Sequence, residues 1–199
     1  MKTIIATTQA LFASTLLGLA ATPAIADKPD WAEKSDLTIV ESAVTLSGGV
    51  YNYDDNQDDF DILVAAVLAT GANVDTLNGE YDYTVFAPTD AAFLAAAGLY
   101  DPENPTDTTA ADEMAAVAIL AGAVDLGAVL AYHITEGVRN SQSVTRARKI
   151  TMLDGNTITA RGGFVEAAGS DADFVATDVR VADGMIHVID SVLIPPAAD

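Results

Sequence analysis

Apolar and polar positions divide this chain into a front part with helical spacing and a rear part with strand alternation. Residues 36–46 repeat apolar positions at helical intervals up to Gly48-Gly49, and a second such stretch runs from about Asp59 or Phe60 to Thr70 before Gly71. Tyr83-Thr84-Val85-Phe86 then carries aromatic and β-branched residues suited to a pleated, half-buried surface, and Pro88 removes a ladder donor and ends the strand. Thr89 or Asp90 is placed to cap the helix that follows, in which Phe93, Leu94 and Ala97 share a face before Gly98 supplies a left-handed end. Prolines and acids within 101–107 mark an exposed loop, and alanine-rich stretches at 112–121 and 125–131 predict two more helices.

From Ile134 onward, β-branched alternation takes over. Residues 149–153 and 157–161 flank Asp154-Gly155-Asn156 as a hairpin, with later strands near 174–181 and 185–194. Asp183-Gly184 reads as a hairpin turn, and the almost wholly apolar run behind it, closed by Pro195-Pro196, predicts a buried central strand. His187, Asp190 and Ser191 interrupt that run, so each needs a hydrogen-bond partner, expected on neighbouring backbone. Helices first and strands later imply an α+β fold rather than an alternating parallel one.

Two of these segments have a further use. The stretch Thr84-Val85-Phe86-Ala87-Pro88-Thr89-Asp90-Ala91-Ala92-Phe93 and the stretch Ile186-His187-Val188-Ile189-Asp190-Ser191-Val192-Leu193-Ile194-Pro195-Pro196 resemble the two signatures of the fasciclin domain family. Tyr132-His133, between them, resembles the family's third marker, a Tyr-His pair after a helix. The resemblance covers roughly residues 36–196, including Val74-Asp75-Thr76-Leu77-Asn78-Gly79 ahead of the first signature. It implies a compact β-sandwich or wedge with several helices packed at one side, in which Thr84, Phe86, Pro88, Thr89, Asp90, His187 and Asp190 are structural signature residues. In some members the region around the Tyr-His pair is implicated in adhesion, which makes Tyr132 and His133 candidate partner-binding residues. Here the pair continues Ile134-Thr135-Glu136-Gly137-Val138-Arg139, less apolar than the usual continuation, and no Arg-Gly-Asp triplet occurs.

Residues 1–26 have the pattern of a secretory signal peptide: Lys2, an apolar core, and Ala24-Ile25-Ala26 as a small-x-small cleavage site. Residues 27–35 then form an acidic lead-in, 36–196 a single domain, and 197–199 a tail. A bacterial, exported product fits this arrangement, released or held peripherally, since the chain has no cysteine to carry a lipid or a disulfide. No other stretch is long and apolar enough to span a bilayer. With 29 acids against 9 bases the formal charge is −20, which repels nucleic acid and anionic lipid and argues against either as a partner.

Candidate chemistry is sparse. Thiol catalysis is excluded, no G-x-S-x-G elbow or S-x-x-K stretch is present, and only His133 and His187 could act as histidine bases. His187 and Asp190 are three apart on a predicted strand, so they point to opposite faces and do not pair. Both histidines read as hydrogen-bonded structural residues, and no catalytic residue or cofactor is expected. Asp54, Asn56 and Asp58 alternate as oxygen ligands do in an EF-hand, but Asp59 stands where glycine makes the turn and Ala65 where a glutamate closes the loop. The acidic run from Asp54 to Asp61 therefore reads as a surface insertion, either a solvated loop or a looser calcium site.

Charge is unevenly divided along the chain. Residues 27–134 hold 20 acids and 2 bases, whereas 135–199 hold 9 acids and 6 bases. Arg139, Arg146, Arg148, Lys149 and Arg161 fall in a stretch whose only acid is Asp154, so either a local basic face survives there or these side chains balance nearby aspartates. A basic face would suit a carboxylated or sulfated glycan, which guanidinium groups contact by paired hydrogen bonds. The reading that follows is an exported, monomeric, non-enzymatic adhesion module for a cell-surface or matrix protein or glycan, with Tyr132, His133, Arg139, Arg146 and Arg148 as candidate contacts. A small-ligand or calcium-binding domain is the alternative, and a carbohydrate hydrolase with paired carboxylates comes third.

Overall fold

The computed structural model describes residues 35–54, 56–71, 82–101, 103 and 108–196. The leader, the lead-in up to residue 34, Asp55, the 74–79 stretch, most of the 101–107 loop and the tail lie outside the described residues.

Among the described residues, six helices precede or interrupt the strands. Helix α1, Ile39–Leu46, starts three residues later than its apolar spacing suggests, because Thr38 and Glu41 form a capping box there. Helix α2, Asp61–Thr70, ends at Gly71 with φ 60°, and α3, Asp90–Ala97, ends at Gly98 with φ 74°, both in the left-handed region that favours glycine. Helix α4, Ala110–Ala123, carries a second capping box from Thr109 and Asp112, and α5, Leu126–Ala131, is capped by Asp125. Helix α6, Ser141–Arg146, capped by Asn140, is absent from the apolar pattern because it buries only Val144.

The strands are β1 (Tyr83–Pro88), β2 (Ile134–Glu136), β3 (Ile150–Thr151), β4 (Thr157–Arg161), β5 (Phe164–Glu166), β6 (Asp171–Val181) and β7 (Gly184–Ile189). They form one hydrogen-bonded succession, β2-β1-β7-β6-β5-β4-β3, antiparallel except where β1 and β7 run parallel. The class is α+β, as expected, and the two signature stretches are those two parallel neighbours, in register from Tyr83 opposite Gly184 to Pro88 opposite Ile189.

Both faces of the β1–β7 pair are covered, which explains their continuous apolar runs. Val85, Ala87 and Ile186 face a core shared with residues of α1 to α5. Phe86 and Ile189 face a second core, filled by Val144 of α6, Ile158 and Ala160 of β4, Val165 of β5 and Leu193.

Three expectations change. The closing strand stops at Ile189, not residue 194: Leu193 donates its N–H to His133 Nε2 at 2.9 Å, while the Ser170 hydroxyl serves both Val192 C=O and Ile194 N–H. Side chains thus satisfy backbone that a strand neighbour would otherwise satisfy. Gly184 is the first residue of β7 rather than part of the turn, and its cause is close approach, because a Cβ there would strike the backbone of Tyr83. The polar run 52–59 lies at the surface in its first part, with Asn52, Asn56 and Asp58 exposed, but its end does not: Asp59, Phe60 and Asp61 are buried, and the carbonyls of Gln57 and Asp59 accept the N–H groups of Ala91 and Asp90 at the start of α3.

Candidate functional site

The signature residues hold one loop. Thr84, fully buried on β1, donates its hydroxyl to Gly137 C=O at 2.7 Å and accepts the Arg139 N–H at 2.8 Å. His187, one strand away on β7, donates from Nε2 to Arg139 C=O at 2.8 Å and accepts the Asp178 N–H on Nδ1. Asp178 sits where β6 loses register, with φ 63°, and its carboxylate takes both the N–H and the hydroxyl of Ser141 at 2.6 Å. That carboxylate secures the start of α6. Asp178 escapes sequence reading because nothing local marks an aspartate at a strand irregularity as an anchor. Phe86 and Phe174 flank the His187 ring, each with centroids 5.7 Å from it.

Of the other signature residues, Pro88 closes the β1–β7 ladder and Thr89 is the N-cap residue of α3, but its side chain makes no capping bond. Asp90 caps a different helix: its carboxyl oxygens accept the N–H groups of Asp61 and Ile62 at the head of α2, at 3.0 and 2.9 Å. The exposed Asp190 accepts the Asp173 N–H on β6 at 2.8 Å and does not pair with His187.

Tyr132 and His133, expected as partner contacts, are instead buried inside the fold at 0% and 2% exposure and cannot meet a partner. The Tyr132 hydroxyl donates to Thr157 C=O and accepts the Ala168 N–H. His133 donates from Nδ1 to Val129 C=O at 2.7 Å, and burial pushes it down to about 4, so it is neutral. Each histidine has both ring nitrogens engaged by backbone and is therefore not free to act as a general base.

The basic candidates lie elsewhere. Arg146 ends α6, which packs against β4, and Arg148 and Lys149 lead into β3, which pairs with β4 so that they approach the end bearing Arg161. Arg146, Arg148, Lys149 and Arg161 are exposed, whereas Arg139 is half-buried, with its Nε buried and without a hydrogen bond among the described residues.

The acids form a second constellation. Asp59 from the turn before α2, Asp61 from the first turn of α2, Asp90 from α3 and Glu113 from α4 are all buried, the last three at 0% exposure. Ligand-capable oxygens of Asp61, Asp90 and Glu113 lie within 4.8 Å of one another, as do those of Asp54, Asp59 and Asp61. Burial first, then Asp59, pushes Asp61 up to about 7. Burial first, then Asp61, pushes Glu113 up to about 8. Asp59 and Asp90 are raised by burial as well, and each modulates the other. Sequence reading misses Glu113, though a signal exists: Glu113, Ala116 and Leu120 share the buried face of α4 at spacings of three and four.

Among the described residues no helix is long and apolar enough to cross a membrane. The family model for the fasciclin domain matches residues 58–195. Similar proteins include "Protein sll1483" of a Synechocystis strain, 31% identical over 83% of this chain and 77% of its own length. Immunogenic protein MPB70 of Mycobacterium bovis is 35% identical over 62% of this chain, which spans only 55% of that relative. Transforming growth factor-beta-induced protein ig-h3 of Sus scrofa is 28% identical over 69% of this chain and 18% of its own. Among solved structures, a FAS1 domain pair from the insect cell adhesion molecule fasciclin I superposes with a TM-score of 0.54 at 13% identity, over 80% of this chain and 51% of that one.

Proposed function

Because the chain belongs to the fasciclin domain family, we propose that it is an exported, non-enzymatic adhesion module. It engages a cell-surface or matrix partner through the face carrying Arg146, Arg148, Lys149 and Arg161, with Arg139 at its margin. The observation that carries this reading is the exposure of those four bases on an otherwise acidic chain. Signature residues hold the approach to that face, since Thr84 and His187 grip the segment from Gly137 to Arg139 and Asp178 grips the head of α6. A held platform loses little conformational freedom on binding, which favours attachment. A sulfated or carboxylated glycan fits the planar, doubly donating guanidinium groups, and the acidic remainder keeps the molecule off nucleic acid. Some similar proteins carry names in keeping with this role: fasciclin I is a cell adhesion molecule, and MPB83 of Mycobacterium bovis, 33% identical over 124 residues, is a cell surface glycolipoprotein.

The non-enzymatic part rests on the engaged histidines and on the burial of Asp61, Asp90 and Glu113, which a polysaccharide cannot reach. The test is attachment of the purified protein to immobilised sulfated, carboxylated and uncharged glycans. Binding to the charged glycans should weaken steeply with salt and fall in the variant combining Arg139→Ser, Arg146→Ser and Arg148→Ser. Equal attachment by that variant overturns the reading.

A further inference from the structure

We propose that Asp59, Asp61, Asp90 and Glu113, with Asp54 at the rim, form a binding site for a divalent cation of the calcium class. Both carboxyl oxygens of Asp61, one of Asp59 and one of Glu113 are buried with no hydrogen-bond partner among the described residues. A buried carboxylate left in that state is costly, and several side by side more so, unless protons or a cation neutralise them. The hydrogen bonds present hold the ligands in place without exhausting them. Asp90 is fixed by the N–H groups of Asp61 and Ile62, Glu113 Oε2 by the Asp54 N–H at 3.1 Å, and Asp59 Oδ2 by the Asn56 amide at 3.1 Å.

The donor set selects the ion. All the candidate ligands are carboxyl oxygens, which suit a hard cation, and neither of the two acid groupings includes a histidine, so zinc is disfavoured. Calcium accepts six to eight oxygens in irregular geometry, whereas magnesium holds out for a tight octahedron and keeps its waters. Asp61 belongs to both groupings of oxygens within 4.8 Å, so an ion there joins the 54–59 turn to α3 and α4. The site is therefore not an EF-hand-like loop: Asp90 and Glu113 come from elements that the acidic run cannot supply alone.

The proposal does not depend on the adhesive reading. Its test is titration calorimetry of the purified, chelator-treated protein with calcium chloride, against magnesium and sodium chloride at matched ionic strength, paired with thermal unfolding. Calcium should bind with one ion per chain and raise the melting temperature more than magnesium does. Asp61→Asn should bind calcium about tenfold more weakly or not at all, lose the thermal gain, and melt no lower than the parent in chelator, because it removes a buried charge. Glu113→Gln gives a second reading of the same site, and Asp58→Asn, on an exposed residue of the same run, should behave as the parent. No calcium heat and no thermal shift in the parent overturns the site in favour of carboxyls that share protons. A full calcium response in both Asp61→Asn and Glu113→Gln overturns it in favour of binding at the acidic surface.

Discussion

The acids around Asp61 and the bases around Arg148 begin alike, as short runs of one sign with few opposite charges between them, and the fold treats them in opposite ways. The bases stay at the end of a strand ladder in water, where each charge keeps its hydration and costs the fold little. The acids are drawn beneath α3 and α4, where Asp61, Asp90 and Glu113 have no solvent exposure. A run of charge in a sequence therefore does not say whether the charge is solvated. An apolar neighbour alone does not decide it: Asp61 is buried between Phe60 and Ile62, whereas Lys149 and Arg161 stay exposed beside buried Ile150 and Ala160. The exposed group is suited to a partner that binds and leaves, and the enclosed one to a ligand that becomes part of the fold.

The sharpest way to break this comparison is to place an acid in a buried site that lacks the pocket's company. Ile189, fully buried in the second core, should not accept aspartate: Ile189→Asp should cost more than about 4 kcal/mol and leave no cooperative urea transition. A folded variant would mean that the burial of Asp61 needs no special explanation. Next in size, Asp90→Ala orphans the N–H groups of Asp61 and Ile62 and should lower stability by about 3 kcal/mol in urea unfolding.

A pH titration separates buried groups of the two signs. His133 is lowered in the folded state, so its contribution is complete above its ordinary 6.5 and is lost as pH falls toward about 4, on the order of 3 kcal/mol. Raised carboxyls such as Asp61 work the other way, since the folded state keeps protons that the unfolded chain gives up as pH rises above the ordinary carboxyl range. In chelator, between neutral pH and about 4, His133→Gln should therefore remove a loss of stability on acidification and Asp61→Asn should remove a gain; unfolding midpoints against pH, compared with the parent, give both differences.

Thr84→Val tests whether the signature supports the basic face. It removes both bonds to the Gly137–Arg139 segment and should cost about 2 kcal/mol while weakening glycan attachment, although no base is altered. The smallest effect on stability belongs to Arg146→Ser combined with Arg148→Ser, which should stay within about 0.5 kcal/mol of the parent in urea unfolding.

Local chemistry made much of the fold legible. Strand β4 is found at 157–161 as its alternation predicts, and Gly71 and Gly98 end the helices that they were expected to end. The partners of His187 and Asp190 are backbone groups on neighbouring segments, as buried or strand-end polar atoms require. Short elements were not legible: β5 has three residues, and α6 buries one side chain, so neither leaves a period to detect. Two of the five candidate contacts were misread for a related reason. A Tyr-His pair and a basic stretch are adjacent in sequence, yet one faces inward and the other outward, because Tyr132 and His133 form the buried turn between α5 and β2 and the chain emerges only at Glu136.

By itself the sequence determined the α+β class, the strand-to-helix corner at Pro88 and the apolar closing segment, since each follows from periodicity or from a residue that forbids the alternatives. Only the tertiary structure decided that Asp90 caps α2 rather than α3, that Glu113 meets Asp61 across fifty-odd residues of chain, and that Thr84 and His187 grip one loop. Those contacts join side chains far apart in sequence, and their distances are set by how helices and strands pack, which no local preference encodes.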